Sequence, residues 1–517
     1  MQAITSTTNN GSTDTTDSND TPILQRRRPH YGHRRAAWYD VLLGELVPEA
    51  GPSYTITSYS GAGSLLEDLA SQSDANRPRV VYVCGGDSAD TTPPLDWWLS
   101  PLGYGWQMLR WHNTADSRTA QYERGGIIIE LRMAAPWFGS EMHPRACRDA
   151  WRLLEVGLRG AFDANVTMMP TPAMVGTQLF EAALPFAARI APLDAELRDT
   201  IRTISTQGRI EMVTSPDAPE SLTAAYQIDG RWMYAACLSH LPLGRVQRDT
   251  LPSYAGFTPG FYRVNATVPR DWAHIGLLPM RSEAGHMVYP AHPGLSFTAW
   301  ASSAEIAVAL EHGWITPGDI RERILWPETH DRGQIDPAAE WLKRLKNLRS
   351  HYDHRGDPVS RLASGAVRHL ALDTVGRWWA GARETHGLVP LSRIGDMPRG
   401  AVPHIEGGVV SYTLTEALHP RTLRHEHPEW AATVWGRARA RLVKLALRLP
   451  RQALIALRTD GVWLSAGPEA YPWLAAEDRG QPGQWRVKSH IPGPVATPRT
   501  EAALLALMTQ AQPWGGK

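Results

Sequence analysis

Ala453-Leu-Ile-Ala-Leu-Arg-Thr-Asp-Gly-Val-Trp-Leu464 reads as an apolar run, a tight Thr459-Asp460-Gly461 turn and a second apolar run. An Asp-Gly pair between two such runs is the strongest short-range signal for a β-hairpin. Taken alone, the turn is a structural device. Seated in a larger sheet, it would also hold Asp460 rigidly at its tip, which is how a metal-binding carboxylate is best mounted. The chain just beyond, Trp485-Arg-Val-Lys-Ser-His-Ile491, reads as a further short strand carrying Lys488. That lysine stands out because lysine occurs at five positions only, so 48 of the 53 basic residues are arginine. The plain explanation is the codon bias of a GC-rich genome, since surface charge can use either residue.

Upstream of the hairpin a long helical pattern runs from about Trp430 to Leu449, preceded by a strand-like run at Val409 to Leu414. Between about Ala301 and Ala382 the apolar spacing is helical, with Trp341, Leu342, Leu345 and Leu348 on one stripe. This lobe contains Arg368-His-Leu-Ala-Leu-Asp-Thr-Val-Gly376, which places Arg368 and Gly376 near one helix face. A long cation over an open glycine surface suits a triphosphate and a base; a surface arginine on a core helix is the plainer reading. Still further upstream, Tyr226-Gln-Ile-Asp-Gly-Arg-Trp-Met-Tyr-Ala-Ala-Cys-Leu-Ser239 is a strand ending in Asp229 and then a helix-like run that includes Tyr234. Such an Asp is most often a helix cap. Two lone carboxylates on separate strands are also what two-metal phosphoryl transfer requires.

From about Ala37 to Asp163, strand-like runs (Ser53 to Thr57, Val80 to Cys84, Gly126 to Leu131) alternate with helix-like ones (Leu65 to Ala70, Arg145 to Gly160). That is an α/β domain. A Pro-marked stretch, Met169 to Pro185, and a strand near Arg209 to Val213 lead to the second region. Residues 1 to about 24 are rich in Thr, Ser, Asn and Asp, with too little apolar content to offset ordering entropy, and Arg26, Arg27, Arg28, Arg34 and Arg35 follow as a basic arm around Tyr31. The start lacks the pattern of a signal peptide.

With 517 residues, 43% hydrophobic and 20% charged, the chain has room for about three domains and a cleft. No apolar run is long enough to span a bilayer. Cys84, Cys147 and Cys237 can form neither a disulfide framework nor a four-thiolate zinc site, and a cytoplasmic location is expected. The net charge of +1 excludes a uniformly basic coat but not a local basic groove. P-loop, dinucleotide-binding and serine-elbow motifs are absent, and the histidine clusters 351–354 and 425–427 lack further ligands for zinc.

The four elements, in their order, resemble the polymerase half of family B DNA polymerases, most closely the protein-primed branch. That family's first palm motif is an Asp followed five positions later by a Tyr, as Asp229 and Tyr234 are here. Its fingers motif runs from a cation to a Tyr-Gly pair eight positions on; Arg368 and Gly376 match, with Val375 in place of the Tyr. Its Asp-Thr-Asp hairpin reads Arg458-Thr459-Asp460, keeping the second Asp, and its Lys-x-Tyr reads Lys488-Ser489-His490. Ser205-Thr-Gln-Gly208 stands where a template-contacting loop belongs.

The resemblance implies an α/β (α+β) chain with a ribonuclease-H-like exonuclease-type domain followed by palm and fingers and a short thumb. The implied boundaries are a disordered basic tail (1–36), a degenerate exonuclease-like domain (37–165), a connector and first palm segment (166–300), a helical fingers lobe (301–395), a second palm segment (396–490) and a thumb-like tail (491–517). Asp90 and Asp149 would match two exonuclease carboxylates, but the first-strand Asp-x-Glu pair is missing, so effective proofreading is not expected. By the same resemblance Asp229 and Asp460 would hold Mg²⁺ or Mn²⁺, Tyr234 would lie under the incoming sugar and reject a ribose, Arg368 and Gly376 would meet the nucleotide, and Lys488 would steady the primer terminus or phosphates. The implied partners are primer–template DNA, dNTPs and a terminal or priming protein, with no membrane, in a mobile or plasmid-like element. Arg458 and the missing Asp-x-Glu pair are the features that favour a competing reading, a non-catalytic nucleic-acid-binding replication or defence factor with a polymerase fold. A terminal transferase or primer-making nucleotidyltransferase using the same aspartates is a third.

Overall fold

The computed structural model describes residues 35–515, apart from short stretches of which 57–60, 86–94, 189–192 and 417–424 are the longest. The chain opens with β1 (Ala36–Asp40), β2 (Glu45–Pro48) and β3 (Tyr54–Thr55), passes through a helix (Ala62–Ser71) to β4 (Val80–Cys84), and continues through β5 (Gln107–Thr114), β6 (Ser117–Arg124) and β7 (Ile127–Met133). β1 and β4 are parallel, as are β4 and β7; the apolar runs AAWYD and VVYVC are buried throughout, as a parallel centre covered on both faces demands. The covering helix Pro144–Phe162 has Pro at its first position and Cys147, Ala150, Trp151, Leu154 and Leu158 on its buried stripe. This is the expected α/β domain.

Beyond the helices Pro172–Ala183 and Ala195–Ile204 come β8 (Ile210–Met212) and the long β9 (Ser221–Gly230), then β10 (Gln247–Asp249), β11 (Gly260–Thr267), the small ribbon β12 (Met280–Arg281) and β13 (Met287–Val288), β14 (Ser296–Ser302) and β15 (Ile320–Leu325). β10, β15, β11 and β14 make a four-stranded sheet of their own. Residues 301–325 therefore belong to this insertion, and the helical lobe proper begins later than 301, at the helix Ala339–Arg355. The cause is pairing: β15 lies antiparallel to β11, a partner that apolar spacing does not show.

Gly356, at φ 67°, ends that helix, and Asp357 Oδ1 accepts the backbone N–H of Ser360 to start the next, Pro358–Trp379. The second helix packs so closely on Pro172–Ala183 that a Cβ on Gly176 would lie 2.1 Å from Thr374 Oγ1 and 2.4 Å from the Leu370 carbonyl oxygen. Gly176→Ala is therefore expected to destabilise the fold by about 1–3 kcal/mol, the range for overpacking, read as a lower thermal midpoint. An unchanged midpoint would show that the two helices can separate freely.

β16 (Arg383–Pro390), β17 (Val402–Glu406) and β18 (Val409–Glu416) then return to the first sheet, giving it the order β17-β18-β16-β5-β6-β7-β4-β1-β2-β3. The strand read at Val409 to Leu414 exists, but it extends the N-terminal sheet and is not part of the second palm segment, so segment boundaries at 165 and 395 do not describe the sheet. The helix Pro428–Leu447 leads to β19 (Leu454–Arg458) and β20 (Gly461–Leu464), the hairpin read from sequence. β21 (Trp485–Ala496), the helix Glu501–Met508 and β22 (Gln512–Pro513) complete the chain. The last sheet has the order β22-β21-β9-β20-β19-β8. Leu504 and Leu507 pack on this sheet against Leu222, Ile455 and Trp463, so the expected thumb segment folds back against it.

Candidate active site

Asp229 ends β9 and is 3% exposed, with Gly461 opposite it on β20 and Arg486 opposite it on β21. A Cβ on Gly461 would lie 2.9 Å from the Ile228 carbonyl oxygen, so glycine lets the hairpin lie flat against β9. In the turn, Thr459 takes φ 53° and its Oγ1 lies 3.1 Å from Asp460 Oδ1. The backbone N–H of Gly230 donates to the Asp460 carbonyl at 3.0 Å. The two aspartates that sequence spacing singled out thus sit side by side at one end of the sheet.

Their proximity is felt electrostatically. Burial, and then the charge of Asp460, push the Asp229 carboxyl above the usual carboxylate range; Lys488, Arg486 and Arg368 pull the other way. Three cations therefore act on this carboxylate, two from β21 and one from the helix Pro358–Trp379. Arg486 Nη2 is 3.6 Å from Asp229 Oδ2. A fourth joins them: Arg349 lies over the Trp232 ring at 4.5 Å, and its guanidinium is held below its usual range by burial, against the pull of Asp353 and with the repulsion of Arg368 and Arg486. Arg349 is paired with Asp353 at 3.4 Å, so four cations stand with three carboxylates, Asp229, Asp460 and Asp353, and one positive charge is left over for a polyanion.

Tyr234 is on the short helix Met233–Ala236 into which β9 turns. Its hydroxyl is buried with no hydrogen-bond partner among the described residues, and burial, with Asp460 adding to it, pushes its ionisation up. An orphaned buried hydroxyl beside such a carboxylate needs an explanation. Gly376 is exposed on the helix that carries Arg368, and a Cβ there would meet nothing within 4 Å. Packing of the free protein therefore does not require that glycine.

Arg458 does not stand as a naked charge beside the aspartates: it pairs with Glu501 of the C-terminal helix. The Ser205–Gly208 loop abuts the turn, where Thr459 N donates to the Arg209 carbonyl at 2.8 Å and a Cβ on Gly208 would lie 2.9 Å from the Thr459 methyl. His490, in the position of the Lys-x-Tyr tyrosine, stacks on Tyr226, and Trp514 meets His490 edge-on at 5.2 Å.

The exonuclease carboxylates are different. Asp90 lies outside the described residues. Asp149 is half-exposed on the helix Pro144–Phe162, in the N-terminal layer, and is paired with Arg148 at 3.0 Å. Where a first-strand carboxylate pair would stand, Trp38 stacks on Tyr82 at 5.7 Å and meets Trp151 at 5.6 Å. Asp40, which sequence reading passed over, accepts the N–H groups of Leu42 and Leu43 and so serves the β1–β2 turn.

No family model and no curated protein matches the sequence. Solved structures do. Phi29 DNA polymerase complexed with primer–template DNA, in a post-translocation binary complex, superposes with a TM-score of 0.53 at 12% identity, over 89% of this chain and 85% of that one. Its ternary complex with primer–template DNA and incoming nucleotide substrates gives the same score over 89% and 86%. The chain has a DNA polymerase fold. The likeness takes in the N-terminal α/β layer, the sheet that carries the two aspartates and the helices between them, and so extends over nearly the whole chain. Among the described residues, no helix of this polymerase fold is long and apolar enough to cross a membrane.

Arg486 and Arg349 are the site residues that sequence reading missed. Arg486 stands two residues before Lys488 on β21, a signal that was available once that segment had been read as a strand. Arg349 is one of many arginines on an amphipathic helix, and nothing local marks it.

Proposed function

We propose that this chain is a template-directed DNA polymerase of the protein-primed family B type, transferring a nucleotidyl group from a dNTP to a primer 3′-hydroxyl without effective proofreading. The observation that carries the proposal is the pairing of Asp229 with Asp460 beneath Arg349, Arg368, Arg486 and Lys488, in a chain with a DNA polymerase fold. In the reaction the primer 3′-hydroxyl loses its proton to water, its oxygen forms a bond to the α-phosphorus, the bond from that phosphorus to the oxygen bridging to the β-phosphate breaks, and pyrophosphate leaves. Arg368, Arg349 and Lys488 bind and orient the triphosphate, and Tyr234 closes the floor under the sugar beside Gly376.

Asp229 and Asp460 would hold Mg²⁺ or Mn²⁺. Burial, and then the neighbouring Asp460, raise Asp229, both of which a divalent cation would offset, and two carboxylates suffice for Mg²⁺, which takes its other ligands from water and substrate phosphates. When bound, such ions lower the charge cost of the attacking and leaving oxygens. Primer–template DNA and dNTPs are the partners, with a terminal or priming protein in the priming step, and 37–165 is the inactive exonuclease-like segment.

The test is extension of a labelled primer on a DNA template with Mg²⁺ or Mn²⁺. Template-matched extension by the wild type supports the proposal. Binding without extension favours the non-catalytic nucleic-acid-binding factor, the reading for which the arginine at position 458 speaks. If the chain extends, Tyr234→Ala is expected to raise ribonucleotide use relative to deoxynucleotide use by about 10–100-fold, since a pocket edge that excludes one hydroxyl is worth that order. An unchanged ratio removes Tyr234 from sugar selection.

A further inference from the structure

A pocket of about 420 Å³ lies between the end of the helix Pro428–Leu447 and the loop leading into β21, lined by Arg441, Lys444, Arg448, Arg479, Glu477 and Trp485 among others. Four cations meet one carboxylate, and that carboxylate is already taken, since Glu477 Oε1 accepts from Arg448 Nη1 at 2.6 Å. Arg479 makes no side-chain hydrogen bond or ion pair with any described residue, and Lys444 has only the exposed Glu311 at 3.4 Å. The site is built rather than incidental. Gln484 Oε1 accepts the N–H groups of Arg479 and Gln481 at 2.8 and 2.9 Å, and Arg231 grips Asp478 in a fork at 2.6 and 3.0 Å. Gly483, at φ 82°, brings its backbone so close that a Cβ would lie 2.8 Å from Arg441 Nη2 and from the Ala236 Cβ. The loop is thereby fixed in the form that presents Arg479.

We propose that this pocket is a second anion site, for a small molecule carrying condensed phosphates: inorganic pyrophosphate or the polyphosphate of a nucleotide. Its volume exceeds a single phosphate and falls in the range of ordinary ligand sites, and its surplus of cations matches a di- or triphosphate. It is distinct from the carboxylate pair. Trp485 pairs with Gly230 and Arg486 with Asp229, and successive strand residues face opposite sides, so the pocket lies behind β21 from Asp229.

The test is calorimetric titration of the full chain with inorganic pyrophosphate in EDTA, so that no divalent ion can load the carboxylates. The pocket is expected to take up one pyrophosphate, counted as the binding that the pocket variants lose and Arg368→Ala keeps. Binding should weaken at least tenfold in Lys444→Glu/Arg479→Glu and, as a milder check on folding, measurably in Lys444→Gln/Arg479→Gln, with the thermal midpoint and primer extension unchanged. Asp229→Asn/Asp460→Asn should bind as wild type does. The proposal is overturned if wild type takes up no pyrophosphate, or if Arg368→Ala abolishes binding and the pocket variants do not. It is equally overturned if a single-stranded oligonucleotide, and not pyrophosphate, is what the pocket variants lose. Because extension is measured separately, a chain that never extends a primer can still bind pyrophosphate here.

Discussion

Asp229→Asn and Asp460→Asn are each expected to cut nucleotide addition by at least about a hundredfold, the order seen when one fixed electrostatic element is removed from a polar active site. Stability should move in the opposite direction for Asp229. Its carboxyl is held above the usual range by burial and by Asp460, so the folded state favours the protonated form more than the unfolded chain does. The stabilisation tied to that raised value is present at acid pH and lost as pH rises through it, which leaves the ionised Asp229 a burden at neutral pH. Asp229→Asn should therefore unfold at a higher temperature than wild type in EDTA at pH 7.5, with the gap narrowing towards pH 4. Added Mg²⁺ should raise the wild-type midpoint and leave the variant's unchanged. Scanning fluorimetry over pH and Mg²⁺ reads both effects. If Asp229→Asn is less stable than wild type and still gains from Mg²⁺, Asp229 is a structural carboxylate and the metal reading fails.

The largest structural effect is expected at Arg439, far from any polymerase motif in sequence. Its guanidinium, 4% exposed, donates to Glu305, 2% exposed, at 2.7 and 3.1 Å. Glu305 also accepts from Ser302 N and Oγ at 3.0 and 2.8 Å, and Arg439 Nη1 donates to the Thr206 carbonyl. One side chain thus ties the helix Pro428–Leu447 to the helix Ser303–Glu311 that follows β14 and to the loop abutting the Asp460 turn. Arg439→Met leaves Glu305 charged and unpaired out of water, a change that costs about 3–5 kcal/mol. Denaturant unfolding should show that loss, and Arg439→Met/Glu305→Gln should recover part of it because the isolated charge is gone. A single variant within 1 kcal/mol of wild type would mean that water reaches Glu305.

What could be read without coordinates was what is local. The hairpin with Asp460 at its tip, the strand ending in Asp229, the apolar stripe of Pro144–Phe162 and the buried run Val80–Cys84 all lie where their own residues put them. Arg349 and Arg486 could not be found in this way. Arg349 reaches the site by the packing of one helix on Trp232, and Arg486 by the register of β21 on β9, and neither is encoded nearby in the chain. The same holds for Arg458. Its sequence position suggests a charge thrust at the metals, whereas a carboxylate some forty residues later meets it. Val409 to Leu414 reads as a strand, and the structure places it in the first sheet, because alternation identifies a strand without naming its neighbour.

That neighbour has a practical consequence. The first sheet is left at Met133 and rejoined at Arg383, about 250 residues later, so a ribosome delivers its last three strands only after the strands and helices between those two residues have emerged. A fragment cut at 165 would expose β5 as an open hydrogen-bonding edge, inviting other chains to pair there and precipitate. Any attempt to express the N-terminal layer alone should splice the 383–416 ribbon back on through a linker after the helix Pro144–Phe162, or keep the chain whole.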